Sequence, residues 1–237
     1  YDFPLSDVNV QGLFNSECVT FGLPSASLPI NMIPSSAMAY LDPMLIGSAS
    51  TLSDASGNSN DMILSNNHGT VSYSSLNRGK FISTGTNYLD GFAMSADWRI
   101  TSLLTIMVAS RYTGSPSGRI LSAMSNNWLL GHWNNNAGVY HADNWVTAPS
   151  NKTPYTDSWI ISIGTMNRNT GYYKYYRNGI LMDRIFDTGS PRHGPYNMSL
   201  FKDMFNENSA SEAGIIIAWN QDFTDQQADE AYQYFRT

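Results

Sequence analysis

The feature that most constrains this chain is the dipeptide Asn178-Gly179. It lies between the runs Tyr172-Tyr173-Lys174-Tyr175-Tyr176-Arg177 and Ile180-Leu181-Met182-Asp183. Asn and Gly both tolerate positive φ, which a type I′ turn requires at its two central positions. That turn twists in step with the strands it joins, so Asn-Gly between strand-forming runs predicts a two-residue β-hairpin. Aromatic residues favour a pleated, half-buried surface, and the second run opens with three apolar residues. Upstream, Trp159-Ile160-Ile161-Ser162-Ile163-Gly164 reads as a buried strand. Near the end, Ala213-Gly214-Ile215-Ile216-Ile217-Ala218-Trp219 reads as another. Together these segments predict a β-sandwich.

A chain of 237 residues suits one large all-β domain with an appended arm. Charged residues make up 14%, below the roughly 25% of a typical globular protein, and Asn, Ser, Thr and Tyr supply the polarity instead. Such a surface makes contacts by hydrogen bonding and stacking. The net charge of −6 and the absence of any Lys/Arg cluster exclude a nucleic-acid backbone as the main partner. With one cysteine, Cys18, an intrachain disulfide is impossible. No run approaches the ~18–20 apolar residues of a membrane helix, so membrane insertion is not expected. The chain opens at Tyr1 without a charged and apolar leader, which fits a processed or partial product.

Residues 1–36 stand apart. Pro4, Pro24, Pro29 and Pro34 fall among apolar residues such as Leu13, Phe14, Val19, Phe21, Leu28 and Ile30. Proline at that density breaks helices and central strands, and the segment is too apolar for a solvated linker. It reads as an extended arm that packs on its own domain or docks on neighbouring subunits. From residue 37 to 237 the pattern is that of the sandwich. In it, residues 79–89 read as a strand, a turn and the start of another strand. Phe92, Met94, Ala96 and Trp98 alternate onto one face, and residues 103–109 form a nearly continuous apolar strand. Arg119-Ile120-Leu121-Ser122-Ala123 and Trp128-Leu129-Leu130-Gly131 read as paired strands around Ser125-Asn126-Asn127. The end is a short helix: Thr224-Asp225-Gln226-Gln227 has capping-box spacing, and Ala228, Ala231, Tyr232 and Phe235 share a face.

Four segments, in order, carry a family resemblance. They are Asp54-Ala55-Ser56-Gly57-Asn58-Ser59-Asn60, Phe81 through Leu89, Tyr176-Arg177-Asn178-Gly179-Ile180-Leu181, and residues 213–223 with the helix after them. The chain from 38 to 237 thereby resembles the laminin-G-like branch of the concanavalin A-like lectin/glucanase superfamily. Trp128-Leu129-Leu130-Gly131 and Asp143-Asn144-Trp145-Val146 look similar to elements of modules in phage, viral and bacterial surface proteins. The resemblance implies a jelly roll of two antiparallel sheets.

The glucanase branch uses carboxylates on one strand in a Glu-x-Asp-x-x-Glu run, held about 5–10 Å apart. Glu17, Glu207, Glu212 and Glu230 form no such run, and Glu207 and Glu212 read as solvated loop charges. The histidines, His68, His132, His141 and His193, show no metal-ligand spacing, and no Gly-x-Ser-x-Gly elbow is present. An enzyme is not expected.

Sugar binding suits the residue types better. A sugar's apolar face stacks on an aromatic ring while loop amides and carboxylates hold its hydroxyls. His132, Trp133, Asn134, Asn135, Tyr140, Asp143, Asn144 and Trp145 supply both within one short region. The competing reading is that Trp128, Tyr140 and Trp145 fill the core while the Asn run only turns the chain. The tyrosines at 172–176 form a second aromatic face, for binding or for strand packing. Some laminin-G-like domains bind calcium, and Asp54, Asn58 and Asp61 have suitable oxygens, although the same residues also stabilise turns.

The expectation is therefore a non-enzymatic recognition or adhesion module at an extracellular, cell or virion surface, with a glycan or cell-surface polysaccharide as partner. The alternative is a structural virion decoration or fibre protein whose arm docks on neighbouring subunits.

Overall fold

In a computed structural model of the protein, Asn178 and Gly179 take φ of 50° and 78° and close the predicted type I′ hairpin. The structure describes residues 37–45, 50–75, 79–148, 152–154, 157–189 and 192–236. The predicted arm at 1–36, with its docking role, lies outside the described residues.

In chain order the strands are β1 (Ala39–Leu41), β2 (Thr51–Leu52), β3 (Met62–Ser65), β4 (Val71–Ser74), β5 (Lys80–Thr84), β6 (Gly91–Ala93), β7 (Leu103–Ser117) and β8 (Leu121–Ala123). They continue as β9 (Trp128–Trp133), β10 (Asn136–Ala142), β11 (Thr153–Pro154), β12 (Ile160–Asn167), β13 (Tyr172–Arg177), β14 (Ile180–Phe186), β15 (Met198–Leu200) and β16 (Ser209–Trp219). One helix, α1 (Asp225–Phe235), follows.

The strands form two eight-stranded sheets whose pairings are all antiparallel. Sheet A runs β14-β13-β12-β7-β16-β5-β4, with β1 added beside β16; sheet B runs β11-β10-β9-β8-β15-β6-β3-β2. The fold is the expected all-β sandwich with a short C-terminal helix.

The apolar run at 103–109 becomes the start of β7, held between β12 and β16 in the middle of sheet A. Its side chains alternate between two buried layers. Leu104, Ile106 and Val108 point into the inter-sheet core with Trp128, Tyr140, Tyr173 and Tyr175. The opposite face carries the cross-strand row Tyr176, Ile163, Met107 and Ile217, all fully buried. Helix α1 lies at one end of this outer face, where Asp225 accepts a 2.8 Å hydrogen bond from the Tyr176 hydroxyl. Its N-terminus carries the predicted capping box between Thr224 and Gln227.

The tyrosine run is thus packing rather than a binding face: Tyr173, Tyr175 and Tyr176 are buried and only Tyr172 is exposed. A second expectation also shifts. The strand after Phe81–Thr84 begins at Gly91, and Tyr88 and Leu89 stay in the loop with exposed side chains.

Gly179 faces α1. A methyl group there would meet Asp229 Oδ1 at 2.8 Å and Tyr232 Cδ1 at 2.9 Å, at a φ that already disfavours an L side chain. Gly179→Ala is expected to destabilise the protein by about 1–3 kcal/mol through strain, and Asn178→Gly by a similar amount because the buried Ile161 N–H loses the Asn178 Oδ1 it donates to. Urea unfolding followed by tryptophan fluorescence measures both.

Candidate functional site

The pairing register places several loops at one end of sheet B. Trp133 ends β9, and the two-residue turn Asn134-Asn135, with φ of 49° and 60°, leads into β10. Arg119 enters β8 at the same end, the loop 201–208 leaves β15 there, and the loop 85–90 leads into β6 there. The opposite end carries Asn126, Asn127, Asp143 and His193.

This geometry divides the residues nominated from sequence. His132 and Tyr140 point into the inter-sheet core, 0% and 1% exposed, and are removed as ligand contacts. The reason is strand alternation, which sends His132 inward and leaves its neighbour Trp133 at the surface. Asn134 and Asn135 supply the positive φ of a hairpin turn; their side chains are exposed at the tip. Asp143 lies at the far end, where it accepts a 2.8 Å hydrogen bond from His193 and two longer ones from Asn126. Asn144 uses its Oδ1 on the backbone N–H of Trp145.

Trp133 and Trp145 do come together, with ring centroids 5.2 Å apart and a 46° tilt between the planes. Trp145 folds back over His141, edge-on at 4.7 Å. The Lys152 ammonium sits 3.8 Å from the centre of the Trp145 ring, and burial holds its amine below the usual range.

The rest of the site comes from distant sequence. The Trp133 indole donates to both oxygens of Glu207 at 3.1 Å. Arg119 donates its Nε to Glu207 at 2.5 Å and faces Asp203 at 3.1 Å, while its guanidinium stacks on Phe205 at 4.5 Å. Arg119 Nη1 is buried without a hydrogen-bond partner among the described residues. Asp203 is the loop's anchor, accepting the backbone N–H groups of Phe205 and Glu207. Burial pushes its carboxyl above the usual range, and those two N–H bonds offset this only in part. Gly118 and Arg119 bond the loop backbone at Asn208 and Glu207. A Cβ on Gly118 would lie 2.6 Å from the Asn208 carbonyl oxygen, so only glycine fits there. Glu207 is therefore a held carboxylate, 34% exposed, and not the solvated charge expected from sequence. Glu212 is also corrected: it is buried on sheet A between Lys80 and Arg111.

The calcium nomination is corrected as well. Asp54 Oδ1 accepts the N–H groups of Tyr40 and Ser56, and Oδ2 accepts that of Asn60. Asp61 accepts the N–H of Asp54, and Asn58 donates its amide to the Ala37 carbonyl. Both Asp54 oxygens face backbone donors, so the loop clamps β1. Among the described residues no group of three or more His, Cys, Asp or Glu has metal-binding geometry.

No protein-family model matches the chain, and no curated protein matches it in sequence. Solved structures do match. The receptor-binding domain of botulinum neurotoxin C/D mosaic serotype superposes with a TM-score of 0.62 at 17% identity, over 86% of this chain and 52% of that one. The botulinum neurotoxin serotype D binding domain gives 0.62 at 16% over 86% and 53%. Domain 4 of AbnA, a GH43 extracellular arabinanase from Geobacillus stearothermophilus in complex with arabinotriose, gives 0.62 at 13% over 84% and 98%. The chain spans about half the length of the toxin domains and nearly all of the arabinanase domain. At such identities the shared property is the fold, a β-sandwich found in binding domains; the likeness does not single out the laminin-G-like branch. The described residues include no helix long and apolar enough to cross a membrane.

Two measurements follow. Burial lowers the His132 imidazole from 6.5 to about 3. The unfolded chain then binds a proton the folded chain refuses, so stability falls as pH drops below 6.5. Between pH 6.5 and about 5, above the carboxylate range, each such histidine contributes a slope of at most about 1.4 kcal/mol per pH unit. His141, also lowered by burial, adds in the same direction. Urea midpoints across this window should shift less steeply in His132→Gln than in wild type. At the β1 clamp, Asp54→Ala should cost about 1–3 kcal/mol by orphaning backbone donors, and adding calcium should leave the wild-type melting temperature unchanged.

Proposed function

We propose that this protein is a non-enzymatic recognition module that binds glycan at the Trp133–Trp145 site of sheet B, acting at an external surface. One observation carries the reading. Two half-buried tryptophans stand beside a carboxylate that is held by an indole N–H and a buried guanidinium, with a lysine at the rim. Indole faces suit the C–H face of a sugar, and Glu207 and Lys152 suit its hydroxyls as acceptor and donor. The site is rigid before binding because Asp203 and Gly118 fix its loop, so little ordering entropy opposes association. The structural neighbours support this direction. The AbnA domain was solved with arabinotriose, and serotype D toxin binding domains with N-acetylneuraminic acid.

Hydrolysis is the competing reading that has something specific in its favour. Asp203 and Glu207 share one guanidinium nitrogen, so they are close enough for a retaining pair, and the Asp203 carboxyl is raised as a general acid requires. Access favours binding over hydrolysis. The Asp203 side chain has no solvent exposure and is committed to two backbone N–H groups and Arg119, so it cannot reach a glycosidic oxygen. The Ser110–His132 pair, at 3.1 Å, is likewise sealed between the sheets.

A glycan array followed by calorimetry on its best ligand tests the proposal. Trp133→Ala and Trp145→Ala should each weaken binding by about 2 kcal/mol, roughly thirty-fold, and Glu207→Gln by less. The ligand should be recovered uncleaved, and EDTA should not change affinity. Binding unaffected by Trp133→Ala would overturn the assignment of the site.

A further inference from the structure

The aromatic surface does not stop at the tryptophan pair. Phe205 packs on the Arg119 guanidinium whose Nε bonds Glu207, and the residue is 44% exposed. Met204 beside it is 46% exposed. The loop 85–90 runs alongside: Asn208 donates its amide to the Gly85 carbonyl, and Gly91 lies against Leu200 and Lys202. That loop presents Tyr88 and Leu89, 41% and 50% exposed. Exposed large apolar residues scattered singly need no explanation, but a contiguous row marks a contact surface.

The order along the row follows the strand order of sheet B. Trp145 lies over β10, Trp133 ends β9, Arg119 enters β8, Phe205 follows β15, and Tyr88 precedes β6. With strands about 4.8 Å apart, four inter-strand steps give a row roughly 19 Å long. The row thus carries the rings of Trp145, Trp133, Phe205 and Tyr88, with Lys152 beside the tryptophans and Glu207 between Trp133 and Arg119. The charges beside the row balance, with Asp90, Asp203 and Glu207 set against Lys152, Lys202 and Arg119.

We infer that the site takes an internal stretch of a linear, uncharged polysaccharide, laid across the end of sheet B from Trp145 to Tyr88, rather than a single terminal sugar. This rests on the glycan-binding reading and extends it. A row several sugar units long, with repeated rings and no excess of positive charge, matches a neutral chain and gives no preference to a polyanion. The Trp133–Trp145 pair forms the strongest subsite, and Phe205 and Tyr88 add contacts only to longer ligands.

The test uses calorimetry of the full chain with linear ladders from di- to hexasaccharide in the arabinan, xylan, mannan and β-glucan series, plus an oligogalacturonate ladder. In the series that binds, affinity should rise at least about tenfold from disaccharide to hexasaccharide, a gain of about 1.4 kcal/mol. Phe205→Leu and Tyr88→Ala should each reduce that gain, Tyr88→Ala leaving disaccharide binding intact, while Trp133→Ala should weaken every length. Equal affinity for all lengths, with Trp133 still required, would overturn the extended row and leave the glycan site standing. Tightest binding to oligogalacturonate would overturn the neutral-chain assignment. Absence of binding to every ladder and to a full glycan array would overturn both readings. Unchanged urea midpoints for Phe205→Leu and Tyr88→Ala exclude misfolding as the cause of a lost gain.

Discussion

The rest of the structure depends on the ladder between β7 and β16. Over 104–108 of β7 and 216–219 of β16 both faces are buried at the centre of sheet A, one of them against sheet B. A strand placed this way has no solvated face, so its register is held by apolar side chains on two sides at once. The long β16 then serves three neighbours, β7 on one edge and β5 and β1 in sequence along the other. This rigid centre lets the loops at the end of sheet B hold a fixed surface.

Aspartates hold several irregular loops of the sandwich. Asp54 takes three backbone N–H groups in its loop, Asp203 takes two, and Asp90 takes those of His68 and Thr70. Burial pushes the Asp90 carboxyl up, but its hydrogen bonds to Thr70 and His68 outweigh this and hold it below the usual range. In a chain with few charges, these aspartates turn irregular backbone into defined surface, because an anion facing several N–H donors satisfies groups that no ladder reaches. The same logic gives Asp54, which resembles a metal ligand in sequence, a role in holding backbone: both of its oxygens face N–H donors.

Much of the fold was legible in sequence. Asn178-Gly179, the apolar run of β7, the β8–β9 pair and the capped helix each announce themselves through local chemistry. The candidate site was legible only in part. The sequence groups Trp133 and Trp145 with His132 and Tyr140 as ligand contacts, because proximity in sequence says nothing about which way a strand side chain points; of these four, the structure leaves only the two tryptophans half-exposed. Glu207, Arg119 and Phe205 were missed. No local signal marks them, since their partner Trp133 is 74 residues from Glu207 in sequence. A usable hint was Gly118 before Arg119, a small residue where another backbone presses close.

By itself the sequence determined the class of the fold and its hairpin, helix and strand content, because turn chemistry and side-chain periodicity act between near neighbours. Tertiary structure alone decided which nominated residues reach solvent and which carboxylate stands beside the tryptophans. That choice depends on strand register across the sheet, and register is set by burial on the facing sheet, which no local stretch of the chain encodes.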